Sequence, residues 1–145
     1  MAGSLTELSG SRLHRAFSEL RDAELLLRNA SFNSSINRSY YAVFHAVRAV
    51  NALDCFDSSK HSGVIAHFNQ SHVATGDFPK EASKIVQSAF HLRAKSDYDD
   101  FFEASREEAA EELQKAALFV RSVADYLAQK GVKAALEEAP PPEQD

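Results

Sequence analysis

The stretch "NRSYYAVFHAVRAV", residues 37–50, decides the fold class of this chain. On an α-helix, which turns roughly 100° per residue, its residues separate into an apolar stripe and a polar stripe on opposite sides. Alanine and phenylalanine fill the flanks between the stripes, so the helix is apolar around most of its circumference and is predicted to be largely buried. The apolar stripe consists of Ile36, Tyr40, Val43, Val47 and Val50, and the polar stripe consists of Arg38, Tyr41, His45 and Arg48.

Three further long segments have the periodicity of amphipathic helices. With the helix just described, which begins near the candidate N-caps Asn33, Ser34 and Ser35, they predict four long helices over about 4–28, 33–53, 79–95 and 106–127. Ser105 and Glu108 form the pattern of a capping box before the last of them. A short amphipathic piece around Val64 and Phe68 interrupts the connection between the second and third. The sequence therefore predicts an all-α, up-and-down four-helix bundle with a broken connection between helices two and three.

Composition and charge set the broad class of protein. The 145 residues fit one domain, predicted over 1–130, and the proline-rich end predicts a disordered tail over 131–145. A single cysteine, Cys55, and an N-terminus without a secretion signal favour the cytoplasm. No apolar run approaches the ~20 residues of a membrane span. The net charge of −5 argues against a broad nucleic-acid footprint but leaves room for a small basic pocket.

The polar stripe of the second helix has two interpretations. Because buried cations need partners, the stripe should face a subunit interface, a polar groove, or acidic groups of another helix. In the structural interpretation, Arg38 and Arg48 pair with carboxylates, and His45 is a structural residue with satisfied hydrogen bonds. In the functional one, Arg38 binds a phosphate and His45 acts as general acid or base. These two side chains are sufficient for metal-independent RNA cleavage, in which a 2′-hydroxyl attacks the adjacent phosphorus.

Metal and cofactor sites are not predicted. His61, His67 and His72 follow one another at intervals of six and five residues, which do not share one face of an α-helix. The sequence has no Glu-x-x-His motif of a di-iron bundle and no Gly-rich phosphate loop.

Four blocks in order resemble the HEPN superfamily, in particular its small stand-alone bacterial and archaeal members. They are "NRSYYAVFHA", "SSKHSGVIAHFN", "TGDFPKEASKIVQSAFHLRAKSDYDDF" and the Glu- and Ala-rich start of the fourth helix. The resemblance runs from about Leu13 to Leu127. It implies a helical bundle, a homodimer, and an operon partner that is a minimal nucleotidyltransferase. In such pairs the HEPN protein resembles the toxin, an endoribonuclease, and the nucleotidyltransferase resembles the antitoxin.

The resemblance also implies site residues. Catalytic members carry an Arg, four to six residues and a His, and Arg38, "SYYAVF" and His45 match this spacing. Many active relatives carry the motif in a later helix, followed by one residue and a Tyr. There this chain has "RAKSDYDD", with no His between Arg and Tyr. The alternative is a non-catalytic module that binds a nucleotide or the nucleotidyltransferase, with Tyr41 or Tyr98 as a possible nucleotidyl acceptor. The expected binding cluster consists of Arg38, Tyr41, Lys60, His61, Arg93, Asp97 and Tyr98.

Overall fold

The structure, a computed structural model, describes residues 2–133 and 135 of the chain. Within these residues it contains five α-helices and no β-strand, which confirms the all-α prediction. The four long helices correspond to the four predicted segments. The short helix and a π-helical turn, Asn69–Val73, occupy the interrupted connection. The helices are α1 (Ala2–Arg28), α2 (Phe32–Ala52), α3 (His61–Phe68), α4 (Lys80–Tyr98) and α5 (Arg106–Gln129).

Helix α2 is the centre of the bundle. It packs against α1, α3, α4 and α5, and most of its residues are buried, as its apolar circumference predicts. Two of its buried polar side chains are hydrogen-bonded to neighbouring elements: the Ser35 hydroxyl donates to the Ala23 carbonyl at 2.8 Å, and the Asn51 amide donates to the Val64 carbonyl at 3.0 Å. These bonds fix the register of α2 against α1 and α3 and satisfy the donors of both side chains inside the apolar core.

Two predicted helix starts need correction, and one is confirmed. The N-cap of α2 is Ser31, so the candidate caps at 33–35 lie inside the helix. Asn33 instead holds the loop before α5, because its amide donates to the Phe102 carbonyl at 3.1 Å and its oxygen accepts the Ala104 N–H at 2.9 Å. Pro79 is the N-cap of α4, which continues to Tyr98. The capping box of α5 is present as predicted.

The core continues past the predicted domain boundary at residue 130. Val132 and Ala135 are both buried in it, so at least this part of the predicted tail packs against the bundle. Residues 136–145 lie outside the described part of the chain, and their predicted disorder stays a prediction. Among the described helices, none has the length and apolar character needed to cross a membrane.

Candidate functional site

The polar stripe of α2 lies beside a polar stripe of α1. Antiparallel packing of the two helices places the start of α1 near the end of α2, and together they form what we call the α1–α2 face. This face consists of Arg12, Arg15 and Glu19 from α1 and Arg38, His45 and Arg48 from α2. The α1 residues follow the i, i+3, i+7 spacing that puts side chains on one side of a helix.

Three of the four arginines on the face are paired. Arg38 Nη1 lies 2.8 Å from Glu19 Oε2. Arg12 and Arg48 share Asp57, with guanidinium nitrogens 3.1 and 3.0 Å from the same carboxylate oxygen. The expectation that Arg38 and Arg48 meet carboxylates is therefore confirmed, and these pairings agree with the structural interpretation of the two arginines.

The positive charge of the face exceeds its negative charge. Arg15 is exposed and has no carboxylate partner within the described residues. In the described part of the chain, four guanidinium groups therefore meet two carboxylates, Glu19 and Asp57. Burial of Arg12 and repulsion from Arg48 lower the pKa of Arg12, whereas the hydrogen bond from Arg48 lowers the pKa of Asp57. An acidic protein thus carries a local basic surface, which is the arrangement that binds anions.

His45 lies at the centre of this basic face, and its hydrogen bonding is incomplete. Its side chain is buried, and Nδ1 has no hydrogen-bond partner among the residues that the structure describes. Burial, followed by the positive charges of Arg15, Arg48, Arg38 and Arg12, lowers the pKa of His45 to about 4. The imidazole is therefore neutral at physiological pH. An unpaired buried polar atom costs roughly 1–3 kcal/mol, so this environment favours the functional interpretation of His45 over the structural one.

Four residues of the expected binding cluster meet between α2 and α4. Arg93 Nη2 donates to the Tyr41 hydroxyl at 3.1 Å, and Arg93 Nε lies 2.9 Å from Asp97 Oδ2. The Nε–H does not point at that oxygen, so the second contact is an ion pair rather than a hydrogen bond. The Arg38 guanidinium carbon lies 4.9 Å from the centre of the Tyr41 ring. Arg38 therefore connects this cluster to the α1–α2 face.

The other three expected residues differ in their placement. His61 packs beside the cluster, with its ring stacked on Phe44 at 4.1 Å and its Nδ1 2.7 Å from the Tyr40 hydroxyl. Burial, then the charges of Arg93 and Arg48, lower the pKa of His61, so its neutral Nδ1 accepts the hydroxyl proton. Tyr98 is 74% exposed and lies 6.0 Å from the Arg93 guanidinium. The Lys60 side chain is exposed and has no hydrogen bond or ion pair within the described residues.

A groove of about 540 Å³ opens beside the cluster, between α1, α2 and α4. Arg38 is part of its wall, but His45 is not, so the two side chains do not share this groove within one chain. At the groove, the Asn37 amide donates to both Asp97 oxygens, at 3.2 and 3.1 Å. The groove is lined by Leu26, Asn33, Ser34, Asn37, Arg38, Ser96 and Asp97.

Sequence reasoning missed the contribution of α1 to the site. Arg12, Arg15 and Glu19 have a detectable signal, their common helical face, but an amphipathic helix normally carries charges on its solvent side. What distinguishes this side is its contact with the polar stripe of α2. That contact depends on the packing of the two helices and not on either sequence segment alone.

Comparison with known proteins agrees with this geometry. The family model described as "HEPN domain" matches residues 10–127. The chain belongs to the HEPN family. A "UPF0332 protein" of Thermotoga maritima is 38% identical over 109 residues, which cover 75% of this HEPN chain and 83% of the relative. Another "UPF0332 protein" from Gloeobacter violaceus is 33% identical over 81% of this chain and 94% of its own length. The protein "Putative toxin MJ0142" of Methanocaldococcus jannaschii is 28% identical over 83% of this chain and 82% of its own.

Proposed function

We propose that this HEPN protein is a toxin-like, metal-independent endoribonuclease whose RNA phosphate binds at the α1–α2 face. The observation that carries the proposal is the unpaired Nδ1 of His45 among four guanidinium groups. Such an arrangement lowers stability, because it combines like charges with an unsatisfied buried atom, and strained polar arrangements of this kind are typical of functional sites. The toxin names of two Methanocaldococcus jannaschii relatives agree with it.

The proposed chemistry uses His45 as the base and Arg38 as the phosphate ligand. A neutral imidazole takes the proton from a 2′-hydroxyl, whose oxygen attacks the adjacent phosphorus. The bond between phosphorus and the 5′-oxygen breaks, and the leaving oxygen takes a proton from solvent. Arg38 stabilises the negative charge that develops on the phosphoryl oxygens. A bound phosphate offsets the neighbouring positive charges and raises the pKa of His45, so substrate binding makes the imidazole a better base.

The proposed active form is a homodimer in which two α1–α2 faces border one RNA site. Within one chain His45 is buried and does not line the groove that Arg38 lines, and in the proposed homodimer Arg38 of one protomer and His45 of the other act on the same RNA. Two basic faces repel each other, and an RNA backbone between them removes that repulsion. The minimal nucleotidyltransferase partner is likewise proposed, as the antitoxin of the pair.

The test combines growth arrest with cleavage of a defined RNA by purified protein in the presence of EDTA. We expect wild type to arrest growth and to produce fragments ending in a 2′,3′-cyclic phosphate. Arg38→Ala and His45→Gln should lower cleavage at least ~100-fold, in the range expected for loss of a charge-stabilising or general-base group. Arg21→Ala and His91→Gln are matched controls, because both original side chains are exposed and lie outside the face. Folding of every variant is checked by circular dichroism.

Glu19→Gln separates the functional from the structural interpretation of Arg38. If Arg38 binds phosphate, removal of its 2.8 Å carboxylate partner strengthens RNA binding, because the carboxylate and the phosphate compete for one guanidinium. If Arg38 has only a structural role, the substitution weakens the bundle and leaves RNA affinity unchanged. Equal RNA affinity of Glu19→Gln and wild type, with no cleavage by either, would sink the proposal.

The groove supports a second candidate function, the binding of a nucleotide or of the partner nucleotidyltransferase. Asn37, Arg38 and Asp97 offer hydrogen-bond donors, acceptors and charge at its wall, and the exposed Tyr98 is a possible nucleotidyl acceptor. Mass spectrometry after incubation with the partner and ATP tests this function. A mass increase that Tyr98→Phe abolishes and Tyr126→Phe retains would support it, whereas an unmodified wild type would exclude modification at Tyr98.

A further inference from the structure

A second polar cluster lies where α2 meets the interrupted connection. Asp54 follows the end of α2, His67 belongs to α3, and His72 belongs to the π-helical turn. His67 Nε2 lies 2.9 Å and His72 Nε2 2.6 Å from the same atom, Asp54 Oδ2. One potential metal-binding atom from each residue lies within 4.8 Å of the others. Two imidazole nitrogens thus converge on one carboxylate oxygen.

The π-helical turn explains why these histidines meet despite an interval of five residues. In an α-helix the neighbour on the same face is three or four residues away, and the sequence argument against a shared site used that spacing. In a π-helix, hydrogen bonds connect residues i and i+5, so the turn is wider. The turn over Asn69–Val73 places the centre of the His72 ring 6.1 Å from that of His67, so an interval of five residues does not keep the two side chains apart here.

The surroundings hold both rings in position. His72 Nδ1 lies 2.9 Å from Asp77 Oδ2, and the Tyr126 hydroxyl of α5 donates to the same oxygen at 3.3 Å. A carboxylate on the far nitrogen is the usual partner of a metal-binding histidine, because it fixes the tautomer and orients the ring. The His67 ring stacks on Phe56, with centroids 4.0 Å apart and planes within 6°.

We propose that Asp54, His67 and His72 form a zinc-binding site. Two imidazole nitrogens and one carboxylate oxygen are a common three-ligand set for Zn²⁺, with a fourth position for water. A tetrahedral Zn²⁺ with bonds of ~2.0–2.2 Å holds its ligand atoms roughly 3.4 Å apart, so binding moves the three side chains by less than about 1 Å. The His72 side chain is buried, whereas the Asp54 side chain is 33% exposed, which leaves an entry path from solvent on the side of Asp54.

The site has a structural consequence for the bundle. Bound zinc connects the end of the central helix to α3 and the π-helical turn, and Asp77 extends that connection to Tyr126 of α5. Metal binding contributes its free energy to the folded state only, because the three ligands are brought together by folding. The proposal is independent of RNA cleavage, which is assigned to other residues.

Zinc titration of tag-free, EDTA-stripped and dialysed protein tests the site. We expect one Zn²⁺ per chain with submicromolar affinity, a higher thermal midpoint with zinc, and a Co²⁺ spectrum typical of tetrahedral coordination. His67→Gln and Asp54→Asn should weaken zinc binding at least ~100-fold, and Asp77→Asn about 10-fold through loss of the orienting carboxylate. His91→Gln, which removes an exposed histidine of α4, should bind as wild type does.

Two results would overturn the proposal. One is a wild-type protein that takes up no Zn²⁺ at micromolar concentrations, a measurement that does not depend on the folding of any variant. The other is retained stoichiometric binding in well-folded His67→Gln and Asp54→Asn. That result would assign the metal to other side chains.

Discussion

At the scale of single residues, His45 gives the clearest dependence of stability on pH. Its pKa is about 4 in the folded protein and 6.5 for an unperturbed histidine. Between these values the unfolded chain binds a proton that the folded chain excludes, so this residue lowers stability progressively as the pH falls from about 6.5 to 4. Above that range it contributes nothing to the pH dependence. We expect the free energy of unfolding of His45→Gln to fall less steeply with decreasing pH than that of wild type, as measured by urea unfolding at about pH 7.5, 6 and 5.

His91→Gln is the control for this measurement, because His91 is exposed and should leave the wild-type slope unchanged. If the free energy of unfolding depends on pH in the same way for wild type and His45→Gln, the imidazole takes up its proton equally well in the folded and the unfolded state. The buried, cation-surrounded environment of His45 would then not exist in solution.

The hydroxyl of Tyr40 tests the connection between α2 and α3. Burial raises the pKa of Tyr40, so its hydroxyl stays protonated and donates to His61 Nδ1 at 2.7 Å. Tyr40→Phe keeps the ring packing but leaves this acceptor unpaired. We expect a loss of about 1 kcal/mol in the free energy of unfolding. Tyr126→Phe removes a hydroxyl of α5 that donates to Asp77 at 3.3 Å, and its free energy of unfolding is compared with that of Tyr40→Phe. An unchanged stability of Tyr40→Phe would show that water replaces the hydroxyl as the donor.

Single residues also show which contacts the sequence predicts and which it does not. The need of Arg38 and Arg48 for carboxylates follows from the apolar character of α2, and both have them. Their identities, Glu19 and Asp57, do not follow, because many acidic residues are available and only the register of α1 against α2 selects these two. The convergence of Tyr41, Arg93 and Asp97 was reached through the family resemblance and not through periodicity.

At the scale of secondary structure, the capping box of α5 was predicted from two residues and has a measurable effect. The Ser105 hydroxyl accepts the Glu108 N–H at 3.0 Å, and the Glu108 carboxylate accepts the Ser105 N–H at 3.1 Å. Ser105→Ala leaves an N–H of the first turn unpaired, and we expect it to lower stability by about 1 kcal/mol. Ser88→Ala, an exposed position inside α4, should cost nothing, since alanine favours helix. Equal effects of the two substitutions in urea unfolding would contradict a role for the cap.

The long helices and the π-helical turn differ in how well local sequence predicts them. Each long helix repeats its apolar pattern over several turns, so the period is strongly determined and only the ends shift by a few residues. The π-helical turn is five residues long and has no periodicity of its own. The turn contacts α3 and α4, and its His72 pairs with Asp54 and Asp77, none of which a local pattern contains.

At the scale of the whole molecule, the net charge of −5 means that the proposed RNA contact depends on a local basic surface, the α1–α2 face. For single strands, the logarithm of affinity falls with the logarithm of salt concentration with a slope of about −0.7 per phosphate neutralised. If all four arginines of one face contact phosphates, with Arg12, Arg38 and Arg48 exchanging their carboxylates for them, the slope is about −3, and the two faces of the proposed homodimer give about −6. The measurement uses 2′-O-methyl RNA, which lacks the attacking hydroxyl and is not cleaved.

Arg15→Ala and its control Arg21→Ala test whether the salt dependence of RNA affinity arises at the α1–α2 face. Loss of Arg15 should make the slope less negative by about 0.7 for each α1–α2 face in contact with RNA, which is about 1.4 for the homodimer. Arg21, exposed on α1 but outside the face, should leave it unchanged. A wild-type slope near −3 with a reduction near 0.7 would show that one protomer binds RNA alone, against the proposed dimer. A slope that Arg15→Ala does not alter would remove the α1–α2 face as the RNA site, whatever the oligomeric state.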